Sequence, residues 1–191
     1  MSSIKSFIEK YTKKVMLKNG TEALLRPIKD TDDQLLYDLF SSCSYDTLFY
    51  RFMSSSIFIN LKKGNTPFVM KVVRRFTQID YKNQLSIIAL IKENNKERIV
   101  SEGMYVLTGS DRAEVGALTG DKWQRQGLAT NIGTFLMEIA KTKGVKMFEG
   151  EILLTNFKLI NLMKALKIKY NKVISHGTLH FEIDLNEPFY E

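Results

Sequence analysis

Residues 124–130 read Gln-Arg-Gln-Gly-Leu-Ala-Thr and stand where a polar loop runs into an apolar-periodic stretch. The first turn of a helix carries unpaired backbone N–H groups and a partial positive charge, so it binds phosphate where a ligand can approach the backbone. Gly127 and Ala129 leave that approach open, and Arg125 adds a cation able to form charge-assisted hydrogen bonds to a phosphate oxygen. Two other phosphate loops are excluded by spacing, because the chain holds neither G-x-x-x-x-G-K-[ST] nor G-x-G-x-x-G. By itself Q-x-x-G-x-A is also the start of many solvated helices, so its neighbours must decide its meaning.

Other residues with chemical potential carry less. His176 and His180 flank Gly177 at a tight turn. Two histidines without further ligands do not make a zinc site, which takes at least three, so no metal is expected. Cys43 has no histidine near it in sequence and reads as a small buried hydrophobe. Arg74-Arg75 and the group Lys167, Lys169, Lys172 form basic runs without an aromatic nucleic-acid motif beside them; they read as solvated faces.

The elements that must position residues 124–130 follow from periodicity. Ile4 to Lys14 is expected to form a short amphipathic helix, and Val15 to Ile28 a hairpin around Asn19-Gly20. Asp30, Thr31 and Asp32 offer caps to a helix through Leu35, Leu36, Leu39 and Phe40; a second short helix follows over DTLFYRFM. SSSIFINLKKGN reads as a loop, and TPFVMKVVRRFTQI as a helix with Pro67 in its first turn. Gln84 to Glu93 and Glu97 to Thr108, joined through Asn94-Asn95, and Ala113 to Thr119 are β-rich and read as antiparallel neighbours. Beyond them come a helix over Gly127 to Lys143, a strand over Val145 to Leu154, a helix from Asn156 to about Lys169, and a closing strand pair around Gly177. This order predicts an α+β or α/β sandwich with at least one parallel crossover.

Composition bounds the rest. With 191 residues, 44% of them hydrophobic, one sizeable core and one domain are expected. A net charge of +7 favours anionic ligands: a phosphate-rich cofactor, nucleic acid or a membrane surface. One cysteine excludes an internal disulfide framework, and no apolar run approaches the roughly 20 residues that cross a bilayer. A cytoplasmic protein without membrane attachment is expected.

The run AEVGALTGDKWQRQGLA, from Ala113 to Ala129, resembles the acyl-CoA signature of the GNAT superfamily of N-acetyltransferases, [RQ]-x-x-G-x-[GA] between a strand and a helix. It is most similar to the bacterial and archaeal protein-lysine acetyltransferase (Pat-like) branch. TEALLRPIKDTD near the start and GEILLTN, Gly150 to Asn156, extend the likeness over about residues 15 to 185, although only the central motif is specific. The resemblance implies a GNAT-like α/β/α sandwich with a mixed, mostly antiparallel, splayed sheet filling residues 1–191, with 1–14 as a helical extension.

It also implies acetyl-CoA as cosubstrate. The backbone of Ala117, Leu118 and Thr119 would pair with the pantetheine amides. Gln124 fills the first motif position, and the amides of Arg125, Gln126, Gly127, Leu128, Ala129 and Thr130 would hold the pyrophosphate. Asn156 matches an asparagine that meets the pantetheine arm, and Lys158 would reach a cofactor phosphate.

Acyl transfer to an amine needs the neutral amine, yet lysine, with a pKa near 10.4, is protonated at neutral pH, so a base is required. Glu114 resembles in position the glutamate that serves as general base in related enzymes; Glu151 is its rival, and the one that faces the strand splay is the candidate. A strand amide near Leu118 would stabilise the oxyanion. Where many relatives carry a tyrosine as general acid this chain has Met163, with Tyr170 the nearest tyrosine, so the acid is unassigned. The resemblance implies an amine acceptor, a protein lysine on the strength of the branch. A non-catalytic acyl-CoA sensor and a basic nucleic-acid-binding protein are the alternatives.

Overall fold

The computed structural model describes residues 2–165 and 168–187. Lys167 of the basic group lies outside them. The N-terminal helix α1 (Ser2–Lys10) is shorter than expected, because from Lys13 the chain pairs as a strand. One eight-stranded sheet follows, built from β1 (Lys13–Met16), β2 (Glu22–Pro27), β3 (Gln84–Glu93), β4 (Lys96–Leu107), β5 (Arg112–Thr119), β6 (Met147–Leu153), β7 (Asn171–Ser175) and β8 (Thr178–Asp184). Its spatial order is β1-β2-β3-β4-β5-β6-β8-β7. Only β5 and β6 run parallel, and the helix α6 (Leu128–Thr142) makes the expected crossover between them.

The register follows from the residues. β3 is buried on both faces from Leu85 to Ile91 and apolar there except at Ser86, as a central strand must be. It turns into β4 at Asn94-Asn95, both with positive φ, which matches the twist of a two-residue hairpin. β7 and β8 close the same way around His176-Gly177.

Two cores flank the sheet. On one face α2 (Asp33–Ser42), α3 (Tyr45–Phe52), α4 (Ser56–Lys62) and α5 (Thr66–Thr77) pack Leu36, Phe40, Leu48, Ile57, Val69 and Val73 against Ile88, Leu90 and Met104. On the other α6 leads, with Ile132, Leu136 and Ile139 against Leu85, Ile87 and Tyr105. Phe7 of α1 and Met163 of α7 (Phe157–Ala165) join that side. The arrangement is the expected α/β/α sandwich.

A second segment differs. The polar start of SSSIFINLKKGN masks α4, in which Ile57 is buried while Phe58 and Leu61 pack against the same core. Serines 54–56 weigh toward a turn, but burial of one apolar stripe outweighs local propensity.

Candidate active site

β4 pairs with β5 as far as Thr119, whereas β6 pairs with β5 only through Glu114. From Val115 onward the two strands diverge, and β6 pairs on with β8 to Leu153. Residues 115–119 therefore present a backbone edge without a strand partner among the described residues. Such an edge can accept an extended amide chain as an added strand.

A cleft of about 560 Å³ opens along this edge. Ala117, Leu118 and Thr119 form one wall. Gln124, Arg125, Gly127, Leu128, Ala129 and Thr130 form the roof, and Asn156 and Lys158, at the start of α7, complete the lining beside it. Of the residues expected to hold a cofactor, Gln126 alone is not among the lining; its carbonyl accepts a hydrogen bond from the Lys18 N–H at 3.2 Å and ties the loop to the first hairpin.

The loop earns its shape from two left-handed residues. A short 3-10 turn at Asp121–Trp123 leads into Gln124, then Arg125 takes φ 63° and Gly127 φ 89°, and α6 begins at Leu128. Gly127 caps the helix through its backbone only, its carbonyl accepting from the Asn131 N–H at 3.0 Å. No side chain covers the first N–H groups of α6 as a cap, and they are the groups a helix cannot satisfy internally.

Gln124 plays a different part from a ligand contact. Its Nε2 donates to the Thr119 carbonyl at 3.3 Å and to Thr47 Oγ1 at 3.2 Å, and its Oε1 accepts from Lys158 Nζ at 3.1 Å. It clamps strand, roof and α7 together. Asp121 completes the frame, accepting from the Ser44 N–H and from the hydroxyls of Ser44 and Thr47. Burial alone would raise the Asp121 carboxyl; these hydrogen bonds win and hold it below the usual carboxylate range. Asn156 is buried, and its Oδ1 caps α7 by accepting from the Leu159 N–H at 3.2 Å. Tyr50 donates to the Thr155 carbonyl at 3.1 Å and bridges α3 to that end of the cleft.

Glu114 is exposed, at the last β5–β6 pair, opposite Glu149. By strand alternation it shares a face with Gly116 and Leu118, away from α6, and it is not among the cleft-lining residues. Glu151, also exposed, stands on the same face of β6, opposite His180. The two glutamates thus lie on one side of the sheet, with Glu114 at the fork. Met163 is buried in the α6-side core and Tyr170 packs against that core, so neither lines the cleft.

The sequence reading missed the cleft's most unusual pair. Glu102 of β4 is fully buried, accepting from Ser86 Oγ at 2.9 Å and from Arg51 Nη2 of α3 at 3.4 Å. Burial pushes its carboxyl up, against the pull of Arg51 and Ser86. Arg51 lines the cleft, and its Nε is buried without a partner. The available signal was a glutamate inside the apolar strand IVSEGMYV, a position that demands a cation from elsewhere in the fold.

Cys43 is buried as expected, and desolvation, reinforced by Asp121, pushes its thiol up to about 12. His180 lies with Glu149 and Glu182, their ligand atoms within 4.8 Å of one another. Arg112 occupies that place, donating to Glu149 at 2.9 Å and also to Glu182. His176 sits on the turn and belongs to no such group among the described residues.

With this geometry in hand, comparison with solved structures is direct. The chain superposes on the GNAT domain of PAT from S. lividans with a TM-score of 0.74, over 92% of this chain and 97% of that one, at 24% identity. The fold is that of GNAT. The PaiA N-acetyltransferase from Thermoplasma acidophilum, solved in complex with coenzyme A, matches the same GNAT fold at a TM-score of 0.62 and 12% identity, over 85% of this chain and 98% of that one. A cAMP-binding acyltransferase from Mycobacterium smegmatis matches at a TM-score of 0.61 and 18% identity, over 97% of this chain but 50% of that one. No family model matches the chain. No helix among the described residues is long and apolar enough to cross a membrane.

Proposed function

We propose that the protein is an acetyl-CoA-dependent N-acetyltransferase whose catalytic domain spans residues 1–191, acting in the cytoplasm on an amine, with a protein lysine as the acceptor. The observation that carries this reading is the cleft itself, which an unpaired strand edge and an uncapped helix start line together beside the β5–β6 fork.

In this reading the backbone of Ala117, Leu118 and Thr119 pairs with the pantetheine arm, and the N–H groups from Arg125 through Thr130 hold the pyrophosphate. Lys158, beside Gln124, adds a cation at the rim, and Asn156 fixes the start of α7 against the arm. The amine attacks the thioester carbonyl directly: the new C–N bond forms, the C–S bond breaks, and the thiolate leaves. Glu114 takes the amine proton through a water from the fork, and the Leu118 N–H donates to the developing oxyanion.

A thermal shift with acetyl-CoA is the first test, since ligand at 100 times its dissociation constant should stabilise the fold by about 2.7 kcal/mol. Absence of any shift at millimolar acetyl-CoA removes the proposal. Glu114→Gln then separates an enzyme from a sensor: turnover should fall by about 10²- to 10⁴-fold with cofactor affinity retained. Unchanged turnover removes Glu114 from the mechanism.

A further inference from the structure

The wall of the cleft away from α6 is lined by a cation whose hydrogen-bond donors are not all partnered. Arg51 is largely enclosed, its side chain 14% exposed, yet it makes one long contact to a carboxylate, at 3.4 Å from Glu102 Oε2. Its Nε is buried and unpartnered. The rings of Phe52 and Phe76, 5.5 and 5.2 Å from the guanidinium carbon, support the charge without offering an acceptor oxygen. A guanidinium presents five N–H donors in a rigid fork, and a carboxylate matches two of them at once.

The position of that fork is also built. Gly116 lies directly beneath it: a Cβ there would stand 2.7 Å from Arg51 Nη1. Gly116 immediately precedes Ala117, Leu118 and Thr119, the unpaired edge along the cleft. Glu102 behind the arginine is fully buried and makes one long contact to it, and burial pushes its carboxyl up against the pull of Arg51. A largely buried cation held by one carboxylate contact of 3.4 Å, with its Nε unpartnered, is a site for an anion supplied from outside the chain.

We propose that Arg51 is a carboxylate-recognition residue, so that one of the two substrates of this protein carries a carboxylate close to the reacting centre. The proposal rests on the acyltransferase reading and specifies one substrate further, as a dicarboxylic acyl-CoA in place of acetyl-CoA or as an acceptor that carries a carboxylate. The carboxylate comes either with a dicarboxylic acyl group on the thioester or with the acceptor, as in a free amino acid or a lysine flanked by an acidic residue. In both cases the fork of Arg51 binds it bidentately.

The test compares probes matched in all but the carboxylate. In the first arm, binding of succinyl-CoA, acetyl-CoA and coenzyme A is measured by calorimetry. In the second, thiol release from acetyl-CoA is followed with free amino acids against their carboxamides, and with lysine peptides carrying a neighbouring Glu against Gln. A preference of tenfold or more for the carboxylate in either arm is expected, and the arm in which it arises identifies the source. Arg51→Met should abolish that preference, and Arg51→Lys should weaken it. If Arg51→Met does not fold because Glu102 is left alone, the double change Arg51→Met with Glu102→Leu removes both charges and should show the same loss. Equal use of both members of every pair, with coenzyme A still bound, overturns the carboxylate site alone. Failure of coenzyme A to bind overturns the acyl-CoA reading and the site with it.

Discussion

Two arginine–carboxylate pairs are buried against the same sheet, and they are built to different standards. Arg26 meets Asp32 through both nitrogens, at 2.7 and 2.8 Å, and donates again to the Pro27 carbonyl, while the Lys29 N–H satisfies the same carboxylate. Arg51 meets Glu102 once, at 3.4 Å, and leaves Nε without a partner. The first pair joins β2 to the turn before α2 and closes on itself. The second joins α3 to β4 inside the cleft and does not. A saturated buried pair specifies structure; an unsaturated one leaves donors that a ligand can complete.

That contrast can be broken most severely at the saturated pair. Asp32→Ala leaves Arg26 buried with its charge uncompensated and should cost about 3–5 kcal/mol in urea unfolding. Affinity for coenzyme A in the folded protein should be unchanged, since neither residue of the pair lines the cleft. An effect on affinity equal to that of a cleft substitution would erase the distinction drawn here.

Gly127→Ala addresses the roof, where the φ of 89° favours glycine and an added Cβ meets nothing closer than Asn131 Nδ2 at 3.7 Å. The left-handed conformation should cost about 1–2 kcal/mol in stability. Calorimetry should show coenzyme A binding weakened by roughly tenfold or more, about 1.4 kcal/mol, because the helix start tilts away from the pyrophosphate.

Gly116→Ala reaches the unsaturated pair without touching either charge. The new methyl displaces the tip of Arg51, a flexible side chain, so the expected stability loss is about 1 kcal/mol by thermal unfolding. Any preference for carboxylate substrates should fall with it, although Arg51 and Glu102 are both intact.

The smallest effect is in pH dependence. A carboxyl raised on folding binds more protons in the native state than in the unfolded one, so it makes stability fall as pH rises from the ordinary glutamate value, about 4.3, through its raised folded value. Glu102→Gln should remove that component. The difference in unfolding free energy between the two proteins, measured across the pH series, should therefore grow in favour of the variant as pH rises from about 4. A flat difference would mean that Arg51 and Ser86 offset the cost of burying Glu102 in full.

Much of this molecule was legible in its residues. The Asn94-Asn95 turn, the apolar run of β3 and the crossover through α6 follow from local preference and periodicity, and each appears in place. The glycine loop was legible too, since its requirement is for small residues and backbone amides at one helix start. α4 was not, because three serines hide a stripe whose apolar partners come from α5 and the sheet. Gln124 fits a sequence pattern but braces the cleft, a role set by Thr47 and Lys158, which lie far from it in the chain.

The sequence by itself determined the strands, the helix that starts at Leu128 and the small residues that expose its amides, because those depend on neighbours within a few positions. Only the tertiary structure decided how far β5 and β6 stay paired, which face Glu114 and Glu151 share, and that Arg51 of α3 would lie across Gly116 to reach Glu102. These are contacts between residues tens of positions apart, and the cost of burying a charge is set by what packs around it, which no local pattern records.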